Sequence, residues 1–331
     1  MILGSGVKKV LLTGGAGFIG SHVVELLAPQ GYEITIVDNL SNGQLSYIEA
    51  YLSRPNVRFV EGDVADADLV DKLMVGQDLV WHLAANTDII GSHDQPQRDL
   101  KDCTIATFTV LNGMRKAGVR NLLFSSTGAV YGNLCIDDYV NESAGPLLPV
   151  SSYGAGKVAS EAFIASFCHV YGLRAWMYRF GNVLGARMTH GVIFDFLRRL
   201  RENPKELLIL GDGRQEKNYF LVEECISGMA YGFREIALTD ADPCIVLNLG
   251  TTTVTRVVDL AAIVVREMGL TDAKLKIQGA PRAWPGDQPR VHFSVDQMSA
   301  RGWKAKKSSD EAVTIAVQRM LDKPGSREFV V

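Results

Sequence analysis

Tyr153 and Lys157 stand four residues apart in "SSYGAGKVASEAFIASF", a stretch with helical periodicity. That spacing puts both side chains on one helix face. A lysine ammonium beside a phenol lowers the phenol's pKa from about 10. The phenolate can then take a proton from a substrate hydroxyl while hydride leaves the carbon that bears it. Upstream, "FSSTGAVYGN" supplies a run of hydroxyls, and Thr127 at the mouth of a strand can hydrogen-bond the same substrate oxygen. Two exposed helix residues would also explain the pair, since such spacings arise by chance. Its weight depends on where the fold puts it.

A second constellation could hold a phosphate. "VLLTGGAGFIGSHVVE" sets Gly14, Gly17 and Gly20 at G-x-x-G-x-x-G spacing, after an apolar run and before a helical one. Glycines there allow a tight turn and bring backbone N–H groups close to a pyrophosphate at the helix N-terminus. "TIVDNLSNG" puts Asp38 at the end of the next apolar run, where a carboxylate accepts from adenosine ribose hydroxyls and repels a 2′-phosphate. No Arg follows directly, so the pattern favours NAD over NADP. "EGDV" places Asp63 and Val64 where an adenine would lie, although a plain turn reads nearly the same. His82 and His93 are read as structural.

The elements that must position these residues alternate. "KKVLLTG", "EITIVD", "NVRFVEGD", "DLVWHLAA" and "RNLLFSS" read as strands separated by helical segments. This predicts an α/β fold, a Rossmann-type doubly wound parallel sheet with ligands at the carboxyl ends of its strands. Residues 1–180 are expected to form it. Residues 181–331 are expected to form a smaller α+β substrate-binding domain with an interleaved border, since "CIVLNLG" could return to the main sheet. The 331 residues carry 34 basic and 37 acidic side chains, well mixed, which argues against nucleic-acid binding. No apolar run approaches the ~18 residues of a membrane span, and the first apolar run reads as a strand rather than a signal peptide. Five scattered cysteines suggest free thiols in the cytoplasm and no metal site.

The pieces "TGGAGFIGSH", "VDNLSNG", "GDV", "WHLAAN", "FSSTGAVYG", "YGAGK", "RFGNVLGAR", "LGDGRQEKNY" and "GWKAKKSSDEA" run in order along almost the whole chain. Together they resemble the extended short-chain dehydrogenase/reductase superfamily, in its NAD-dependent nucleotide-sugar epimerase/dehydratase branch. Their details are most similar to 4-epimerases acting on UDP-glucose or UDP-glucuronate. The resemblance implies that Thr127, Tyr153 and Lys157 are the catalytic set and that Lys157 also holds the nicotinamide ribose. It implies an NAD site from Gly14, Gly17, Phe18, Ile19, Gly20, Asp38, Asn39, Ser41, Gly43, Asp63, Val64, Leu83, Ala84 and Ala85. It implies substrate contacts at Asn182, Arg187, Val192, Lys217, Arg282 and Arg290, and a homodimer built on "TFTVLNGMRKAG" and the Tyr153 helix.

Within that resemblance, 4,6-dehydratases carry an acidic pair directly after the hydroxyl residue, where this chain has Gly128 and Ala129. That weighs against dehydration. Epimerisation needs the least equipment: one Tyr, a retained NAD and room for the 4-keto sugar to turn over. Decarboxylation of a hexuronate and reduction of a 4-keto sugar stay open, as does a catalytically silent NAD-binding scaffold. Two departures concern phosphate donors. Lys217 replaces an Arg, giving up bidentate recognition, and Trp284 stands where many 4-epimerases have a phosphate-binding Arg. Arg282 or Arg290 would supply the missing charge.

Overall fold

The computed structural model describes residues 2–89, 91–135, 139–284 and 286–322. Seven strands, β1 (Lys9–Thr13), β2 (Glu33–Asp38), β3 (Val57–Glu61), β4 (Leu79–His82), β5 (Asn121–Thr127), β6 (Arg174–Phe180) and β7 (Cys244–Leu249), form one sheet in the order β7-β6-β5-β4-β1-β2-β3. β1 pairs in parallel with β2 on one side and β4 on the other, so that Leu12 faces Ile36 and Trp81. The direction of winding therefore reverses at β1, and the carboxyl ends of β1, β2, β4 and β5 present Thr13, Asp38, His82 and Thr127. That is where an open α/β sheet takes its ligands. Val10, Leu11 and Leu12 are fully buried, the continuous apolar run of a strand covered on both faces.

The helices of this layer are α1 (Phe18–Leu27), α2 (Ala67–Met74), α3 (Ala106–Ala117) and α4 (Ser152–Tyr171). Val110, Leu111 and Met114 of α3 and Ile164 and Phe167 of α4 pack with Leu11, Val80, Leu122 and Phe124 of the sheet in one core. α4 begins where the Ser151 hydroxyl caps the Gly154 N–H at 3.1 Å, and it stops at Gly172, whose φ of 70° suits a residue without Cβ.

The chain divides into two compact units. One comprises Met1–Val130, Ser151–Arg179 and Gly228–Leu247; the other comprises Tyr131–Val150, Phe180–Ser227 and Asn248–Val331. A single cut at residue 180 does not describe this division. The chain returns to the first unit within the helix Val222–Glu235, and β7 then extends the main sheet beside β6. The core of the second unit joins Leu197 and Leu200 of Val192–Glu202, Leu260 and Val264 of Val257–Glu267, and Val313 and Val317 of Ser309–Met320. Three small sheets complete it: Asn182–Leu184 with Tyr219–Leu221, Glu216–Lys217 between Thr255–Arg256 and Arg290–Val291, and Glu206–Ile209 with Lys274–Ile277. Among the described residues no helix is long and apolar enough to cross a membrane.

Candidate active site

β5 and α4 bring the three chemical candidates together. Thr127 ends β5, Tyr153 and Lys157 occupy the first turns of α4, and the Tyr153 and Thr127 side chains are hydrogen-bonded. The Thr127 hydroxyl also accepts from the Ala129 N–H at 3.1 Å, which fixes its rotamer. Lys157 is buried, with its ammonium donating to the Ser125 carbonyl at 2.7 Å. That ammonium lies 4.7 Å from the Phe124 ring centre and 6.0 Å from that of Tyr153. The electrostatics correct one expectation. Burial pushes the Tyr153 phenol above the ordinary tyrosine range, and charge at Cys103 and Asp99 acts the same way; the Thr127 hydrogen bond pulls it down only in part. Burial likewise lowers the Lys157 pKa, against the pull of Cys103 and Glu161. At the phenol, burial outweighs the Thr127 hydrogen bond, so the shift runs opposite to the one expected from a neighbouring lysine.

Behind the pair lies a set of residues that the sequence reading did not single out. Glu161 accepts from the Ser126 hydroxyl at 2.5 Å and from Arg179 Nε and Nη2 at 3.0 and 2.7 Å. A π-helical turn, Leu100–Ile105, with Asp99 just before it, packs Cys103 and the Asp99 backbone against α4 at Gly156, where a Cβ would stand 2.9 Å from Cys103 Cβ and 3.1 Å from the Asp99 carbonyl oxygen. Asp99 is held by the Asn86 amide at 2.9 Å. The signal for Glu161 was available: it follows Lys157 by four residues and so shares the helix face. Asp99 and Cys103 have no such local mark. His82 is buried between Thr13 (2.6 Å) and Thr107 (3.1 Å), and burial lowers its pKa to about 3, favouring a neutral imidazole that ties β4 to β1 and α3.

The proposed cofactor residues form a cradle at the ends of β1, β2 and β4. Gly14 has φ +69°, and a Cβ on it would meet the Ala84 backbone N at 2.7 Å. On Gly20 a Cβ would strike the Gly14 carbonyl oxygen at 2.2 Å. On Gly17 it would meet only that oxygen, at 3.2 Å, within 4 Å. The α1 N-terminus at Gly17 has no side-chain cap and no acidic residue in its first turn, which includes Phe18 and Ile19. The N–H groups of such an uncapped first turn suit a diphosphate. Asp38 accepts from the Ala16 and Leu40 N–H groups, both at 2.9 Å, and burial raises its pKa against these bonds. Gly43 lies against it, and the Ser41 N–H bonds the Asn39 side chain at 3.0 Å. Leu83 and Ala84 donate to the Thr13 hydroxyl, and half-buried Ala85 follows. Asp63 is partly buried, yet its ion pair with Lys101 at 2.6 Å and a bond from Asn39 lower its pKa. The Val64 side chain belongs to the core. These residues fit an adenine dinucleotide without a 2′-phosphate.

The proposed substrate residues lie in the second unit. Asn182 bonds the Asn218 carbonyl through its backbone N–H at 2.7 Å. Val192 opens its helix and packs on the core beside buried Ile193; Arg187 adopts φ +71° and lies near Met188 on a cavity of about 410 Å³ with Phe194 and Leu197. The cationic candidates are engaged. Lys217 pairs with Asp287 at 3.2 Å and sits 5.5 Å from the Trp284 ring centre. Arg282 donates to the Asp287 carbonyl at 3.2 Å and to Asn133 at 3.3 Å. Arg290 pairs with Glu216 at 3.5 Å, which His292 also approaches at 3.0 Å. Among the described residues the buried Trp284 indole N–H has no partner, so it is a spare donor beside Lys217. No cluster of His, Cys, Asp or Glu among the described residues is placed to hold a metal ion. Cys103, Cys168, Cys225 and Cys244 are free thiols, and the side chain of Cys135 lies outside the described residues.

Comparison with known proteins agrees on one group. The family model described as "NAD dependent epimerase/dehydratase family" matches residues 10–249. A putative UDP-glucose 4-epimerase of Methanocaldococcus jannaschii is 30% identical over 321 residues, covering 94% of this chain and 98% of that protein. A crystal structure of a UDP-galactose 4-epimerase superimposes with a TM-score of 0.83 at 32% identity, covering 95% of this chain and 99% of its own. A dTDP-glucose 4,6-dehydratase from Streptomyces venezuelae, solved with NAD bound, gives 0.84 at 25% identity, with 97% and 99% covered.

Proposed function

Because the chain belongs to the NAD dependent epimerase/dehydratase family, with NAD as its cofactor, we propose that it is a nucleotide-sugar 4-epimerase acting on a UDP-hexose or UDP-hexuronate. The observation that carries this reading is the hydroxyl pair at the sheet edge. Tyr153 and Thr127 are hydrogen-bonded to each other, and the two residues that follow Thr127 are Gly128 and Ala129. The site therefore has one proton-transferring group and, directly after Thr127, no carboxylate to deprotonate a neighbouring sugar carbon. Relatives named as 4-epimerases, by sequence and by structure, support the same choice.

NAD, when bound, supplies a hydride acceptor that becomes the donor. The chain's residues do the rest. The Tyr153 oxygen takes the proton of the sugar C4 hydroxyl and later gives it back, so no proton need leave the site. Thr127 shares that hydrogen bond and orients the hydroxyl. Lys157, anchored on Ser125, keeps a positive charge within reach of the phenol. Burial, which disfavours the phenolate, favours return of the proton afterwards. Lys217, Arg282, Arg290 and the Trp284 indole are the proposed diphosphate donors, Asn182 and Arg187 polar contacts, and Val192 a backbone contact. A homodimer is part of the proposal. Phe108 of α3 and Phe163 and Tyr171 of α4 are 42%, 40% and 50% exposed, an apolar stripe on the first unit. A cytoplasmic site, which suits the free thiols, is part of it too. Incubation with a panel of nucleotide sugars, read by NMR, tests the reading. A C4 epimer is the expected product; a 4-keto-6-deoxy sugar or a pentose would replace it with dehydration or decarboxylation.

A further inference from the structure

We propose that Glu161 is a positioning residue: with Arg179 it forms a buried clamp that fixes Lys157 and Thr127 relative to Tyr153. The inference rests on the reading of Tyr153 as the proton-transferring group. Glu161 lies one helical turn beyond Lys157 on α4. Its carboxylate reaches Ser126 on β5 and, by a two-point contact, Arg179 on the neighbouring strand β6. Ser126 stands between Ser125, whose carbonyl holds the Lys157 ammonium, and Thr127, which bonds Tyr153. One carboxylate thus ties the helix bearing Tyr153 and Lys157 to the strand bearing Thr127.

Stability does not explain the pair. The Arg179 and Glu161 side chains are only 4% and 9% exposed, and a pair so buried is often matched or bettered by apolar residues of the same shape. What apolar residues cannot supply is a fixed direction: three short hydrogen bonds from two strands onto one carboxylate leave α4 little room to slide. Geometry of this kind matters because a displacement of about 1 Å at a reacting group can lower a rate about 100-fold. The titratable groups that face Tyr153 and Lys157 are Cys103 from the π-helical turn, Asp99 just before that turn, His82 from β4, and Glu161 itself, with Arg179 behind it.

The test is the holoenzyme carrying Glu161→Gln and Arg179→Met together, which removes one charge of each sign and keeps local net charge and shape. Four quantities are measured: the denaturation midpoint, bound NAD, kcat and KM, and the ultraviolet titration of Tyr153 taken against Tyr153→Phe in the same background. A clamp predicts a midpoint near that of the wild type, a kcat about 10- to 100-fold lower at unchanged KM, and a Tyr153 titration moved up by about one pH unit. Loss of the Glu161 charge, the nearer of the two to Lys157, would by itself move the titration down, so an upward move reports a displaced lysine. Wild-type kcat and titration in a folded double variant would overturn the proposal. If the double variant does not fold, Ser126→Ala, which cuts one bond and spares the ion pair, must lower kcat and move the titration in the same direction; no change in either also overturns it. If the wild type turns over no nucleotide sugar while the Tyr153 titration still moves, the sugar reading has failed and the clamp stands.

Discussion

Adding a single methyl group at Gly20 and at Gly17 should give two different defects. A Cβ on Gly20 would lie 2.2 Å from the Gly14 carbonyl oxygen and 2.6 Å from Gly15 Cα. Both are backbone atoms of the loop that precedes α1, so neither can swing aside. Restoring ordinary contact requires α1 and the loop to part by about 1 Å. Overpacking of this size costs ~1–3 kcal/mol, of which the helical preference of Ala over Gly returns up to ~1 kcal/mol. Gly20→Ala should therefore lose up to ~3 kcal/mol of stability. It should also bind NAD at least ~10-fold more weakly, because the N–H groups of the loop no longer converge. A Cβ on Gly17 would meet the protein only at 3.2 Å from that same oxygen. Gly17→Ala should keep wild-type stability and still lose NAD, because the methyl group projects where the diphosphate must approach. Chemical denaturation of the apoprotein measures the first quantity, and fluorescence titration with NAD measures the second. Gly17→Ala binding NAD as the wild type does, or Gly20→Ala matching the wild type in both assays, would refute the cradle.

Tyr153→Phe should fold and keep its NAD but turn over ~10²–10⁴-fold more slowly, the ordinary worth of a placed proton-transfer group; steady-state kinetics beside an NAD assay checks both. Asp38→Ala should weaken NAD and narrow the preference over NADP, measured by paired binding titrations, and a wild type that prefers NADP would contradict the reading of Asp38. Lys217→Ala should raise KM for the nucleotide sugar with less effect on kcat, the mark of lost uniform binding; an unchanged KM in a folded variant removes Lys217 from the site. His82 binds a proton in the unfolded chain below about pH 6.5 but in the native protein only near 3. Its contribution is thus full above the unfolded value and shrinks as pH falls toward 3. Between pH 6.5 and 5 it should remove about 2 kcal/mol, a slope that His82→Gln should flatten in denaturation curves.

The residues legible in the sequence were those whose partners lie within one or two turns of chain. Gly14, Gly17 and Gly20 declare a loop and helix start by spacing alone, and Asp38 follows from its place at the end of β2. Tyr153 and Lys157 share a helix face by periodicity, and "CIVLNLG" was apolar enough to be offered as β7. What stayed hidden depends on tertiary neighbours. Nothing near Lys217 in the chain announces Asp287 and Trp284, seventy and sixty-seven positions away by their numbers. Asp99 and Cys103 meet α4 at and just before a π-helical turn, which has no sequence signature. The direction of the Tyr153 shift was also out of reach, because spacing shows a lysine nearby but not how deeply the phenol is buried.

Hydride return is the claim from which all else follows, and a nucleotide sugar deuterated at C4 tests it most directly. With UDP-glucose labelled in this way, the account predicts a C4 epimer that retains the deuterium at C4 as seen by NMR and mass spectrometry. Loss of the label to solvent, or a 4-keto-6-deoxy product, would contradict it.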